Sequence, residues 1–504
     1  MNPFLEKLAR RSGPSMIAAS FFTFGVVFLL LWNWIFDRVL ASILVLNTES
    51  QVFEPWRTSP VPITMDVYFF NWTNPEEIYD HSKKPAFAEL GPYRFTEHRE
   101  KVNFTWNENG TVTYRLWRRW YFEEGKSAGR LTDKITTINP ATMVAANHVK
   151  NWNYFTKRGL SHAFSVMGYE IHTVKSVGEL IFDGYDEPLL KVGPLLGIDL
   201  PSADKFGWFH PRNNSYTFDG TINVDTGYNG SLGEVKSWNY KENIDFYTGK
   251  CRQITGSAGE LYPRHRKRDS ISVFSTDTCR SMQLDYKEDT LVKGIQGYKY
   301  SAQAGMLDNG TLIPENKCYC DGKCIPSGML NISTCRSGAP LFGSLPHFYG
   351  ADPIYGSMVE GIKPEESKHE SYVILEPISG MPLDAVLRLQ VNVKMSPIKY
   401  ISMYEDVPEV YLPVFWLEQV LSISNDISWK LWLISHAPTI CPVAGGIFVL
   451  SGFLVFAYVI RKLVNEMSHK RKRTIQFLKE KEPLNQSTNL TTRKLSYVES
   501  FIRN

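Results

Sequence analysis

Two stretches of the chain carry no charged residue: Met16–Phe36, 21 residues, and Thr439–Ile460, 22 residues. At about 1.5 Å of rise per helical residue, each covers roughly the ~30 Å hydrocarbon layer of a bilayer. Backbone in lipid must satisfy its own hydrogen bonds, so both stretches predict transmembrane helices. The first is longer than the apolar core of a cleaved signal peptide, roughly 7–15 residues. Charged Asp37 and Arg38 also stand just before Val39-Leu40-Ala41, the tripeptide that resembles a cleavage site. The first run therefore reads as a retained anchor.

Between the runs, short β-branched and aromatic segments are broken by Gly, Pro, Asn and Asp. Val61–Phe70, Thr111–Phe122, Tyr216–Val224, Ser371–Glu376 and the alternating Val386–Val393 predict strands, several with one buried face. One stretch has a different period. Asn139-Pro140 suits an N-cap and first helical residue. Ala141, Ala145, His148, Trp152 and Phe155 then recur at four-three-four-three spacing, and Gly159 suits a helix end, so a single helix is expected over Asn139–Gly159. A further helical turn is expected at Gly178–Phe182. With no internal repeat and no low-complexity linker, the middle reads as one folded unit.

Flanking charge orients the spans. Lys7, Arg10 and Arg11 precede the first, and Arg461, Lys462 and Lys470-Arg471-Lys472-Arg473 follow the second, which places both ends in the cytosol. The expected organisation is a cytosolic N-terminus (1–15), a span (16–36), a non-cytosolic domain (37–438), a span (439–460) and a basic cytosolic tail (461–504). The ends carry +2 and +7 of a whole-chain +3, which leaves the middle at −6. A mildly acidic ectodomain argues against nucleic acid as a partner. The tail suits either anionic inner-leaflet lipid or solvent. Arg264–Arg268, Arg-His-Arg-Lys-Arg, is a dense basic run in this acidic domain. It reads as a solvated loop or as a contact for anionic ligands or headgroups; a processing site is disfavoured by His265 four residues before the bond after Arg268.

Asn-x-Ser/Thr acceptors at Asn71, Asn103, Asn109, Asn213, Asn229, Asn309 and Asn331 fall in the middle segment, where each occupied site would mark exposed surface; Asn485 and Asn489 also match but fall in the expected cytosolic tail, where they should stay bare. Cys251, Cys279, Cys318, Cys320, Cys324 and Cys335 lie within 85 residues of one another, and Cys441 lies in the second apolar run. Six cysteines in an oxidising compartment allow three bridges in fifteen pairings. A zinc site from Cys318, Cys320, Cys324 and Cys335 lacks the usual two-residue spacings, so no metal is expected. No Gly-x-Ser-x-Gly, phosphate-binding glycine loop or His-Glu-x-x-His occurs. Neither catalytic residues nor a cofactor is expected, and nothing in the sequence sets an oligomeric state.

Several segments resemble the class B scavenger receptor family. They are Tyr68-Phe69-Phe70-Asn71-Trp72-Thr73-Asn74-Pro75 followed by Gly91-Pro92-Tyr93, Asp277-Thr278-Cys279-Arg280-Ser281, Cys318-Tyr319-Cys320, Ser344-Leu345-Pro346-His347-Phe348, Glu376-Pro377-Ile378-Ser379-Gly380 and Arg388-Leu389-Gln390-Val391-Asn392. With the two anchors, the resemblance covers about residues 10–462. It implies an α+β ectodomain, an antiparallel β-barrel-like core with an apical helical bundle, flanked by two transmembrane helices. It also implies the pairs Cys251–Cys318, Cys279–Cys335 and Cys320–Cys324. The implied function is capture of lipid, lipoprotein or a lipid carrier protein, with delivery of fatty acid, sterol or carotenoid to the membrane through an internal tunnel. Such a tunnel is useful because exposing an acyl chain to water costs about 0.8 kcal/mol per methylene. Ligand contact is expected at the apex, through Trp152, Tyr154 and Phe155 with Lys157 and Arg158. The alternative is a sorting or adhesion receptor that binds a protein partner there. The tail segments around Leu484 and Tyr497 match lysosomal sorting signals poorly, which favours the plasma membrane over lysosomal or endosomal membrane.

Overall fold

A computed structural model describes residues 3–59, 63–192, 205–320, 322 and 324–480. The first two residues of the strand expected from Val61, and the tail around Leu484 and Tyr497, lie outside the described residues. The chain divides into two compact units, Met1–Phe36 with Ala437–Asn504, and Asp37–His436.

Helices α1 (Pro3–Leu30) and α2 (Trp32–Ile43) carry the first apolar run, and the C-terminal helix Asn425–Glu480 carries the second. Both runs are long and apolar enough to cross a membrane. The C-terminal helix has 56 residues, about 84 Å, and so outruns the hydrocarbon layer and continues through Lys470–Arg473. Small residues let the spans approach closely. A Cβ on Gly25 would lie 2.7 Å from Gly445 O, and one on Gly452 would lie 3.1 Å from Ala18 O. Ala18 and Gly25, like Gly445 and Gly452, are seven residues apart, hence on one face of their helix. Phe21 stacks on Phe448, Phe22 meets Phe453 edge-on, and Trp32 Nε1 donates to Ala437 O at 2.9 Å.

In the larger unit the strands are β1 (Ile63–Trp72), β2 (Phe87–Asn107), β3 (Thr111–Phe122), β4 (Lys134–Ile138), β5 (His172–Ser176), β6 (Tyr185–Asp186), β7 (Lys205–Phe206), β8 (Thr221–Asp225), β9 (Val235–Trp238), β10 (Ser270–Ser275), β11 (Arg280–Val292), β12 (Ile295–Ser301), β13 (Leu330–Asn331), β14 (Leu341–Ser344), β15 (Tyr372–Leu375), β16 (Pro382–Met395) and β17 (Val410–Ser422). Thirteen of them form one antiparallel sheet, with path β10-β11-β12-β15-β16-β17-β1-β2-β3-β8-β9 and the β13–β14 pair joined to the second half of β16. The two ends of the path are bridged. Val235 N donates to Gly256 O, Ser257 N to Ser272 O, and Phe274 N to Ser257 O, all within 2.9 Å. The Gly256-Ser257 segment thus lies between β9 and β10 and closes the sheet into a barrel, which satisfies backbone groups that an open edge would leave unpaired. Gly256 has φ +87, and a Cβ there would meet Ser272 O at 2.2 Å, so the closure requires glycine.

The expected strands at Thr111–Phe122 and within Val386–Val393 and Ser371–Glu376 form as read. Tyr216–Val224 does not. Only Thr221–Asp225 pairs; Tyr216 and Phe218 lie in exposed turns ahead of Gly220, whose φ of +77 breaks the extension. The single helix expected over Asn139–Gly159 is two: α4 after α3 (Phe53–Arg57), at Pro140–Val149, and α5 at Tyr154–Val166. Asn139 caps α4 by accepting from Thr142 N at 3.3 Å, and Asn153 caps α5 by accepting from Thr156 N at 3.0 Å. Asn153 is extended, with ψ 165, so the helix ends and restarts there, and Gly159 sits inside α5. The turn expected at Gly178–Phe182 is a π-helical turn, Glu179–Asp183.

The helices mark one end of the barrel. Thr142 Oγ1 meets Tyr404 OH at 2.8 Å, and Ser402 N donates to Ser161 Oγ at 3.0 Å, so α4 and α5 pack where β16 hands over to β17. From there β17 runs 13 residues, about 40 Å, to Ser422 and on into the helix that carries the second apolar run. The bundle is therefore at the far end of the unit from its exit toward that run, as an apex should be.

Candidate functional site

At this apex the expected contact residues separate into two groups. Helix α5 exposes Phe155 (83%) and Val166 (72%), with Gly159 and the exposed His162 between them at four-three-four spacing, so among the described residues one helix face is left without a partner. Met167 extends this apolar face. Trp152 and Tyr154 are partly exposed: Trp152 meets His148 edge-on at 5.6 Å, and Tyr154 meets Tyr400 at 4.9 Å. Arg158 is exposed, with its guanidinium 5.9 Å from the Tyr154 ring and 5.7 Å from Tyr400. Lys157 departs from the expectation of a surface cation. It is buried, donates to Lys150 O at 3.3 Å and lies over Tyr400, so it ties α5 to the end of α4. His162, Val166, Met167 and Tyr400 belong to the surface and were not expected. The continuing helical period to Val166 was a signal for the first two, whereas Tyr400 arrives from 240 residues away.

The barrel interior is polar at its middle. Along β2 the inward positions are Phe95, Glu97, Arg99 and Lys101, and along β3 they are Val112, Tyr114, Leu116, Arg118 and Trp120. Glu97 accepts from Arg99 at 2.9 Å and from Gln419 at 2.9 Å. Lys101 Nζ contacts Glu260 at 2.5 Å and donates to Trp56 O at 2.6 Å. Arg212 joins Asp219 and Asp277, and Arg118 lies 3.4 Å from Asp219. Four acids and four bases cancel, which makes such burial tolerable. Burial works to raise the Glu97 and Glu260 carboxyls; the adjacent Arg99, Arg118 and Lys101 charges more than reverse it, so both lie below the usual carboxylate range. Above this layer Phe95, Trp120, Phe182, Phe209 and Phe415 form an aromatic one.

A pocket of about 410 Å³ opens elsewhere, bordered by Lys287, Gln303, Leu307, Leu345, Tyr349 and Glu370. Lys287 is paired with Glu370 at 2.6 Å, so this wall is charged rather than greasy. The motif residues Ser344–Phe348 and Gln390–Asn392 hold one another. Gln390 accepts from His347 N and donates to Asn392, whose amide donates to Ser344 Oγ. His347 Nε2 meets Glu89 at 2.6 Å, and its ring stacks on His369 at 4.5 Å.

The structure holds disulfides Cys251–Cys318, Cys279–Cys335 and Cys320–Cys324, and Cys441 is free. Among the acceptor asparagines, Asn103, Asn109 and Asn229 are exposed. Asn71, Asn213 and Asn331 are half-buried and accept from Thr136 N, Trp120 N and Ser333 N. Asn309 differs from the other acceptors. It is 6% exposed, and its amide donates to Ile325 O at 2.6 Å, because the loop folds back over it. Among the described residues no cluster of His, Cys, Asp and Glu is arranged to hold a metal.

The family model described as the CD36 family matches residues 16–463. The chain is 37% identical over 445 residues to protein peste of Drosophila melanogaster, covering 87% of this chain and 80% of that protein. It is 32% identical over 408 residues to scavenger receptor class B member 1 of Bos taurus (80% and 79% covered), and 30% identical over 405 residues to lysosome membrane protein 2 of Homo sapiens (78% and 82% covered). The closed antiparallel barrel, the helices at its far end and the two membrane-spanning runs agree with these matches: the chain belongs to the CD36 family, that of the class B scavenger receptors.

Proposed function

We propose that the protein captures lipid, lipoprotein or a lipid carrier at its apex and passes lipid to the membrane that anchors it, as a receptor and not as an enzyme, with both termini cytosolic. The observation that carries this reading is the unpartnered face of α5. Phe155 and Val166 stand in water at 83% and 72% exposure, an arrangement suited to apolar ligand contact, with Arg158 beside them for a carboxylate or phosphate. Transfer down the barrel has to cross or skirt the layer of Glu97, Arg99, Lys101 and Glu260, so that layer would act as the restriction on a tunnel.

The test is full-length protein in nanodiscs, given donor vesicles that carry a fluorescent fatty acid or cholesteryl ester, together with mass spectrometry of co-purifying lipid. Phe155→Asp with Val166→Asp should reduce capture several-fold and leave the thermal transition in place. Capture at the wild-type level, with no bound lipid, overturns the reading. The similarity to lysosome membrane protein 2 favours a second reading, a sorting receptor whose apex takes a protein and whose steady state is lysosomal or endosomal; imaging of the tagged chain separates it from plasma-membrane residence.

A further inference from the structure

The basic run Arg264–Arg268 does not lie at the apex. Its neighbours place it at the opposite end of the larger unit. Arg264 Nη1 donates to Asp37 Oδ1 at 2.8 Å, and His265 Nε2 meets the same oxygen at 2.8 Å. Asp37 is the residue that immediately follows the apolar run Met16–Phe36. The loop is also pinned from its other side by the β15–β16 turn. His265 N donates to Ile378 O at 3.1 Å, and Arg266 N to Pro377 O at 2.7 Å. That turn leads into the end of β16 that pairs, at Asp384, with Ser422, the residue at which β17 leaves for the second apolar run.

The Glu376–Gly380 motif is the device that holds this loop. Glu376, fully buried, accepts from Ser379 N and Oγ at 2.6 Å each and from Ile378 N at 3.2 Å, which locks the turn. Gly380, at φ +75, lets the two backbones meet: a Cβ there would lie 2.4 Å from Pro263 O. A buried carboxylate, a serine and a glycine are thus spent on fixing where a row of cations sits.

Two of those cations are neutralised, Arg264 by Asp37 and Arg268 by the bidentate Asp289. Asp289 lies on β11, just before the β11–β12 hairpin tip, so the Arg268–Asp289 pair sets the loop beside that tip. At the tip Lys293 donates to two neutral acceptors, Ile423 O at 2.7 Å and Asn425 Oδ1 at 2.8 Å, at the start of the helix that becomes the second span. Leu291, next to it, is 73% exposed. Among the described residues, Arg266, whose Nε is buried without an acceptor, the exposed Lys267, and Lys293 therefore carry positive charge with no carboxylate against it, in a domain whose net charge is −6.

We infer that this end of the ectodomain is a foot that binds the phospholipid surface of its own bilayer. Arg266, Lys267 and Lys293 take headgroup phosphates, and Leu291 enters the headgroup–acyl boundary. The occupant is the bilayer and not a soluble partner, because both polypeptide exits toward the apolar runs, at Asp37 and at Asn425, are hydrogen-bonded to the patch. Cations around an exposed apolar side chain are the composition that interfacial lipid selects.

The experiment uses the full chain in nanodiscs, with Cys441→Ser to remove the free thiol and Leu291→Cys labelled with an environment-sensitive fluorophore. Phosphatidylcholine discs brominated near the headgroup are compared with discs that also contain phosphatidylserine. The label at 291 should be quenched at least twofold more than a Phe155→Cys label at the apex, and more strongly with phosphatidylserine. Lys267→Glu, a surface change distant from core packing, should remove the phosphatidylserine increment. Quenching at 291 no greater than at 155 in both discs overturns the foot. Quenching that ignores lipid charge and Lys267→Glu overturns the headgroup assignment.

Discussion

Replacing Lys101 by Met puts the interior charge layer to a direct test. Met keeps most of the unbranched stem, so the change is mainly electrostatic. In the native barrel the Lys101 ammonium is 2% exposed, lies 2.5 Å from Glu260, donates to Trp56 O and sits 4.9 Å from the Trp56 ring. Its removal leaves Glu260, among the described residues, with Arg99 at 3.4 Å as its remaining cation and strips Trp56 O of the Lys101 donor. Breaking one side of a buried pair costs about 3–5 kcal/mol. The Glu260 side chain keeps 24% exposure, which favours the lower end, about 3 kcal/mol. For a cooperative unit of this size that is a fall in Tm of about 3–4 °C. Differential scanning fluorimetry of the full chain in detergent at neutral pH measures it. Lys101→Met/Glu260→Met should recover at least half the loss, because no orphaned charge remains. A Lys101→Met protein that melts with the wild type, or a double variant whose loss is the sum of the two single losses, refutes the claim that these charges depend on each other.

Other consequences follow from the same geometry. Gly256→Ala forces a side chain at φ +87 into Ser272 O; it should destabilise by about 2 kcal/mol or more and speed amide exchange at Ser257 and Phe274 ahead of the β1–β17 pair, whereas uniform exchange would deny that this segment closes the barrel. His369 is held at about 4 against an ordinary 6.5, first by burial and then by the neighbouring His347. Above pH 6.5 it is neutral in both states; below that the unfolded chain takes up a proton that the folded one refuses. Stability is therefore lost as pH falls from about 6.5 to about 4, by up to about 3 kcal/mol, and His369→Gln should flatten that slope in chemical denaturation; an unchanged slope places the titration elsewhere. Gly445→Leu should wedge the spans apart, seen as loss of disulfide trapping between Ala18→Cys and Gly452→Cys; undiminished trapping would show that the small-residue seam does not set their approach.

The two apolar runs and the alternating strands needed no third dimension, because hydrophobic length and a period of two are local properties of the chain. Thr111–Phe122 shows where that legibility ends. Its alternation reveals an inward face, but Arg118 on that face reads as a flaw in the pattern until β2, Asp219 and Glu97 supply its surroundings. The apical helix failed for a related reason. The spacing from Ala141 to Phe155 continues smoothly, and the side-chain cap of Asn153 that ends one helix and starts the next competes with a periodicity it does not disturb.

Sequence by itself determined that the chain has two runs long and apolar enough to cross a membrane and, through its motifs, that it resembles a class B scavenger receptor with an α+β ectodomain. Only the tertiary structure decided that Asn309 is turned inward, that Lys157 is buried against Lys150 and Tyr400, and that Arg264 and His265 meet Asp37. A residue's charge and polarity are written in its name, but its solvation is set by whatever the fold brings against it, and those neighbours lie tens to hundreds of residues away.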